Sequence, residues 1–158
     1  MDQPLKLQAK LLIATPQLQD PNFEKAVILI LNHTSDGAFG LVINRKTSEK
    51  WKKQVPVWYG GPCEPERLWL LHETDSGFEL TNDLEQSLDS SRAKIFSGYS
   101  GWVEGQLDME IAVSSWLEAP LQPDLVLETP PDQIWEKAIL SLGLDPSNLS
   151  TQISRLLH

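Results

Sequence analysis

The residues of this chain that could do chemistry are few and far apart. Its three histidines stand at positions 33, 72 and 158. His33 and His72 both fall at the ends of segments that read as strands, where working side chains are often presented. Two such imidazoles could meet as an acid–base or metal pair. Yet no His, Cys, Asp or Glu cluster has metal-ligand spacing, and neither a P-loop, GxGxxG nor HExxH is present. Ser100 lies between a strand-like and a helix-like segment, the context of a nucleophile elbow. That motif needs glycine two residues after the serine, and here Trp102 stands there. Cys63 is the only cysteine, so it has no CxxC partner and forms no intramolecular disulfide. The sequence therefore assigns no catalytic residue, no metal and no cofactor. Its thiol usage fits a reducing compartment, and the expected location is cytoplasmic.

The densest constellation is the run from Gly98 to Leu107 (GYSGWVEGQL), with three glycines in eight residues. It predicts a tight loop ahead of a helix. Open backbone N–H groups there could receive an anion, or the glycines serve only the turn while Tyr99 and Trp102 anchor it. Gly60-Gly61-Pro62 is a second such place, either a strand-ending turn or a close backbone approach to a ligand. Asn44 could offer an amide to the same pocket. The candidate ligand-binding set is Asn44, Gly60, Gly61, His72, Tyr99, Trp102 and Gln106, expected to line one shared concavity.

The elements that must position this set follow from hydrophobic period. Residues 5–11 alternate apolar and polar, which predicts a strand with one wet face running on to residue 14. Pro16 and Pro21 then break regular structure. Residues 25–33 (KAVILILNH) are almost continuously apolar, the pattern of a strand buried on both faces. Asp36-Gly37 is a hairpin turn signal, and residues 38–45 give the second strand. Residues 47–54 are polar and read as loop or helix. Strands are expected over 55–59, 66–73, 93–97 and 125–127. Helices are expected over 82–90, with Leu84 and Leu88 four apart, and over 106–117, with Leu107, Ile111, Val113 and Trp116 inward. A last helix should open with Thr129 as N-cap and Pro130 at its first position, and close at Gly143. The tail from Asp145 is short and is expected either to fray or to pack as a last turn. The fold class is α+β with a mainly antiparallel sheet.

At 158 residues the chain suits one domain spanning positions 1–158. The net charge of −9 weighs against wholesale binding to nucleic acid or anionic membrane. No apolar run reaches the roughly 20 residues of a membrane helix. Charge is polarised: the first 53 residues carry +3 and the remainder −12. The basic peak, residues 45–53, contains Trp51. Bases around an aromatic can grip a single strand, but a solvated segment whose Trp packs inward suits so acidic a chain better.

Taken together, these segments resemble the YqgE/AlgH family of small bacterial proteins. The matching stretches cover residues 11–45, 60–72, 98–120 and 127–143, most of the chain, in order. Signature positions match at Pro16, Asp20, Phe23, Gly40, Asn44, Gly60, Gly61, Pro62, His72, Gly98, Tyr99, Trp102, Gly105, Gln106 and Leu107. Ser100 departs from the family's usual alanine. The resemblance implies a bifurcated sheet curled into a pseudo-barrel with helices packed outside. It carries over no catalytic residues. One branch is named as a transcriptional regulator, yet no helix-turn-helix with a basic recognition helix is visible, which weighs against direct DNA binding. The expected function is a non-enzymatic binding or regulatory module with a protein or small-ligand partner. The alternative is a small-molecule enzyme, such as a hydrolase, using a cleft framed by Gly60-Gly61, His72 and residues 99–106.

Overall fold

The computed structural model describes residues 9–18, 20–75, 77–85 and 92–157. Nine strands form one forked sheet. They are β1 (Lys10–Ala14), β2 (Val27–Thr34), β3 (Gly37–Val42), β4 (Lys46–Trp51), β5 (Val55–Tyr59), β6 (Cys63–Thr74), β7 (Gly77–Thr81), β8 (Ala93–Val103) and β9 (Trp116–Pro120). The described residues also form four α-helices: α1 (Gln106–Ala112), α2 (Pro123–Leu127), α3 (Pro131–Ser141) and α4 (Leu149–Leu157). The main path of pairing is β4-β5-β8-β3-β2-β1-β9, and β6 joins β8 while carrying β7. Among the described residues every pairing is antiparallel except β5 with β8.

The fork is at β8. Residues Ile95, Phe96 and Ser97 are paired both with β5 and with β6, so these two strands flank the first half of β8. The second half, Ser100 to Val103, pairs with β3. The bifurcation expected from the resemblance is therefore present, but the sheet is not closed into a barrel. Its path ends at β4 and at β9, each with one neighbour.

Both faces of the central strands are buried, as the apolar run in β2 implies. Leu11, Ile13, Val27, Leu29, Leu31 and Leu41 face a layer made by α2, α3 and α4, through Val126, Ile134, Ala138, Ile139 and Ile153. The alternate residues Leu12, Ala14, Ile28, Ile30 and Val42 face Trp102, Leu107 and Trp116 beside α1. The period of two in the strands thus sends successive side chains into two separate cores.

Several elements differ from the sequence expectation. Residues 46–51 form edge strand β4 rather than loop or helix. Trp51 packs on a small cluster around Val57, Leu70 and Ile95, while Lys52 pairs with Glu85. The glycine run after Ser97 is no loop: β8 continues through it to Val103. Helix α1 stops at Ala112, where Ser114 takes a positive φ of 60°, and Trp116 belongs to β9. Val113 accordingly is 53% exposed rather than inward. Residues 123–127 form helix α2 opened by Pro123, not a strand. Helix α3 has Pro131, not Pro130, at its first position, with Pro130 as the cap residue. The tail packs, one of the two expectations for it, but as the nine-residue helix α4 rather than a single turn, anchored by buried Leu149 and Ile153. Strand β7 was not anticipated. The expected helix over 82–90 and the strand start before residue 9 fall largely or wholly outside the described residues.

One lysine is enclosed by this architecture. Lys94 Nζ lies 3.8 Å from the Trp58 ring centre and donates to the Val126 carbonyl at 2.8 Å. Both contacts favour the charged form, but burial outweighs them. With a smaller push from Lys46, it lowers the ammonium to about 8 from an ordinary 10.5. The folded chain therefore binds this proton less tightly than the unfolded chain, and the stability it withholds below pH 8 is recovered as pH rises towards 10.5. Urea midpoints of the wild type and Lys94→Met should diverge in the wild type's favour across that window. A difference that stays flat would contradict the assignment.

Candidate functional site

The segment of residues 15–25 between β1 and β2 has proline at 16 and 21 and cannot continue either strand. It is nevertheless held at both ends. Thr15 is buried, and its hydroxyl donates to the Ser114 carbonyl at 2.7 Å. Asp20 caps the turn Pro21–Phe23 by accepting from the Asn22 N–H at 2.9 Å. At the far end the Arg45 guanidinium donates to the carbonyls of Asn22 and Glu24. Asn44 clasps the chain where Lys25 takes a positive φ: its Oδ1 accepts from the Val27 N–H at 3.0 Å and its Nδ2 donates to the Lys25 carbonyl at 2.8 Å.

Three hollows open around this segment. The largest, about 900 Å³, lies between it, Trp135 of α3 and the turn at Asp145 to Ser147. A second, about 460 Å³, lies between Leu18, Asp20, Pro21 and Phe23 on one side and Gly101, Trp102, Gln106, Glu110 and Trp116 on the other. A third, about 260 Å³, is bounded by Lys25, Asn44, Arg45 and the start of α3. The first and second share Leu18, Asp20 and Pro21; the first and third share Glu24, Lys25, Trp135 and Glu136.

The wall of the second hollow is organised by one carboxylate. Glu110 Oε1 accepts from both indole N–H groups, Trp102 at 3.0 Å and Trp116 at 2.9 Å, and Oε2 accepts from the Gln106 amide at 3.1 Å. Gln106 Oε1 in turn accepts from the Val103 N–H. Phe23 completes the wall, with ring centres 6.5 Å from Trp102 and 5.8 Å from Trp116.

The seven sequence candidates do not gather in one concavity. Trp102 and Gln106 share the second hollow, and Asn44 borders the third. Gly60 and Gly61 pack against the backbone of Gly98 and Tyr99 at the fork, so the close approach they permit is to the chain itself. Gly60 takes a hydrogen bond at its carbonyl from the Val42 N–H and another from the Ser100 hydroxyl, and Ser100 is fully buried. Tyr99 packs at a tilt on Phe39 and edge-to-face on Trp69, and its phenol pKa is raised by hydrogen bonding to Glu64 and then by burial. His72 is paired across β6 and β7 with Glu79, at 3.4 Å. It lies opposite Ala93 on β8 whereas Cys63 lies opposite Tyr99. That offset of six residues puts His72 about 20 Å along the strand from Tyr99, so the cleft imagined for a hydrolase is not assembled. The other strand-end histidine, His33, contacts Asp108 through Nε2 and Lys10 through Nδ1, both at 3.0 Å. Among the described residues no group of three His, Cys, Asp or Glu is placed to hold a metal ion.

Sequence reasoning passed over Asp20, Phe23, Glu110 and Trp116 as site residues. Asp20 and Phe23 stood among the signature matches, but Glu110 carried no signal, since its role depends on two indoles brought together from β8 and β9. Asn44→Ala should lower stability by about 2 kcal/mol, because it orphans the Val27 N–H and the Lys25 carbonyl. Urea denaturation and faster exchange of the Val27 amide would show it; an unchanged amide would refute the clasp.

Comparison with known proteins agrees with this architecture. The AlgH-like family model (DUF179) matches residues 11–147. A UPF0301 protein from Paracoccus denitrificans is 36% identical, with 95% of this chain and 97% of that one covered. One from Pseudoalteromonas translucida is 35% identical, with 92% and 96% covered. The solution structure of the AlgH protein from Pseudomonas aeruginosa superposes with a TM-score of 0.78 at 25% identity, covering 95% of this chain and 96% of that one. A crystal structure from Corynebacterium diphtheriae shares the fold at a TM-score of 0.72 and 20% identity, covering 89% and 90%. With the fold, the family model and the relatives in agreement over nearly the full chain, this protein belongs to the AlgH-like family of UPF0301 proteins.

Proposed function

We propose that this protein works by binding rather than by catalysis, as a cytoplasmic regulatory module whose partner is a protein or a small ligand. Its recognition surface is the set of hollows around residues 15–25. The observation that carries the reading is the second hollow: an open concavity whose aromatic wall is fixed by Glu110 and whose opposite wall is pinned by Asp20 and Arg45. Pre-positioned aromatic and amide groups without a nucleophile suit recognition. Ser100 is buried and bonded to a main-chain carbonyl, and neither His33 nor His72 has a hydroxyl or thiol beside it among the described contacts. Direct contact with DNA forms no part of the proposal. The basic segment is an edge hairpin in which Lys46 and Lys52 lie over Trp58 and Trp51, and the charge of the whole is −9.

Mapping a fragment library by amide and indole NMR shifts tests the reading. Bound fragments should cluster on Leu18, Phe23, Gln106 and Trp116, and purified protein should turn over no ester, phosphoester or nucleotide. Turnover abolished by His72→Ala would overturn it.

A further inference from the structure

We infer that the hollow between Phe23 and α1 is a site for an organic cation, an alkylammonium or guanidinium group; this rests on the binding reading above and names its ligand class. Beside Leu18, Pro21 and the Gln106 amide, two kinds of side chain line it. Phe23, half-buried, supplies the accessible aromatic surface, backed by the buried rings of Trp102 and Trp116, and Asp20 and Glu110 supply carboxylates, while no lysine or arginine is among the lining residues. Ring faces attract cations through their quadrupole, most strongly where water is excluded, and the two carboxylates add Coulomb attraction of the same sign. An anion would meet both carboxylates with no compensating donor beyond the Gln106 amide, which Glu110 already occupies. Neutral apolar ligands would fill the space but leave the carboxylates unpaired.

The carboxylates keep capacity for a guest. Asp20 accepts from Asn22 through Oδ1. Glu110 takes two indole donors on Oε1 but one amide on Oε2, and a carboxylate offers about four lone-pair sites.

The test uses the full chain labelled with ¹⁵N, titrated at constant ionic strength with tetramethylammonium, butylguanidinium, and the blocked lysine and arginine methylamides; tert-butanol serves as the neutral match. The indole N–H resonances of Trp102 and Trp116 should shift saturably with the cations and much less with tert-butanol. Tighter binding of the blocked amino acids than of tetramethylammonium would identify a protein side chain as the guest; the reverse order would identify a small free organic cation. Asp20→Asn keeps the cap, because asparagine accepts the same N–H, and Phe23→Leu keeps apolar bulk. Each should weaken cation binding about fivefold. Equal response to tert-butanol, or Asp20→Asn without effect, would overturn the cation assignment while leaving the hollow as a binding site. Shifts no larger than sodium chloride gives, with no fragment bound there either, would remove both readings.

Discussion

Gly61→Ala should abolish the native fold, or leave it so weak that no cooperative urea transition remains. A Cβ at Gly61 would lie 2.2 Å from the Tyr99 carbonyl carbon and oxygen, and both are backbone atoms that cannot rotate away. The residue also holds φ at 152°, which side chains rarely adopt. Overpacking and backbone strain each cost about 1–3 kcal/mol. Their sum, about 4 kcal/mol, is a large part of the 5–15 kcal/mol that holds a typical domain together. The position explains the severity. Gly60, Gly61 and Gly98 interlock where β5 leaves β8 and β3 takes over, and a Cβ on Gly98 would in turn strike the Gly61 carbonyl at 2.5 Å. Gly101→Ala, in the same glycine-rich run, is the control. Its nearest neighbour would be the Tyr99 ring edge at 3.5 Å, an ordinary contact, so its urea midpoint should stay close to wild type. Equal effects of the two substitutions would refute the interlock.

That interlock also explains what could and could not be read from the sequence. The β2–β3 hairpin was legible because Asp36-Gly37 separates two long apolar runs, and β5 was legible with the same ends. Residues 98–103 were misread because glycine usually signals a turn. Here glycine permits two backbones to pass closely within one long strand, and the alternation of exposed Gly101 and Val103 with buried Ser100 and Trp102 was the period-two signal underneath. Edge strand β4 gave little apolar signal, as suits an edge that must not recruit another chain. Its fate was set by pairing with β5, which is a tertiary fact. Helix α2 was hidden because Leu125-Val126-Leu127 reads as strand. The Pro123-Asp124 start was the local clue, and burial of Leu125 and Val126 against the α3 layer decides the conformation. The candidate site divided along similar lines. The glycines at 60 and 61 marked a place of close approach, but sequence could not say that the approaching group was the chain's own backbone at Gly98 and Tyr99. For Trp102 and Gln106 the sequence had a wall of a hollow without its other side.

Glu110→Ala should cost about 3 kcal/mol and loosen the second hollow without unfolding the sheet. The carboxylate is the acceptor for two indole donors, one of them on Trp116, which is 1% exposed and has no water to turn to. An orphaned buried donor costs about 1–3 kcal/mol, and two are created, one of them nearer the surface on Trp102 at 8% exposure. The loss is of acceptor rather than of charge, so Glu110→Gln should recover much of it: its Oε1 can still take both indoles. A double-mutant cycle separates this from lost packing. With Glu110→Ala in place, Trp116→Phe removes a donor that already lacks its partner, so the two losses should fall short of additivity by about 1–2 kcal/mol. Full additivity would mean that the indole–carboxylate bond contributes nothing. The same cycle bears on the site, since the indole N–H resonances of Trp102 and Trp116 should broaden or move in Glu110→Ala while the backbone amides of β1, β2 and β3 stay put. Shifts spread evenly through those strands would instead make Glu110 a support of the whole fold, and the hollow would lose its claim to a wall built for a guest.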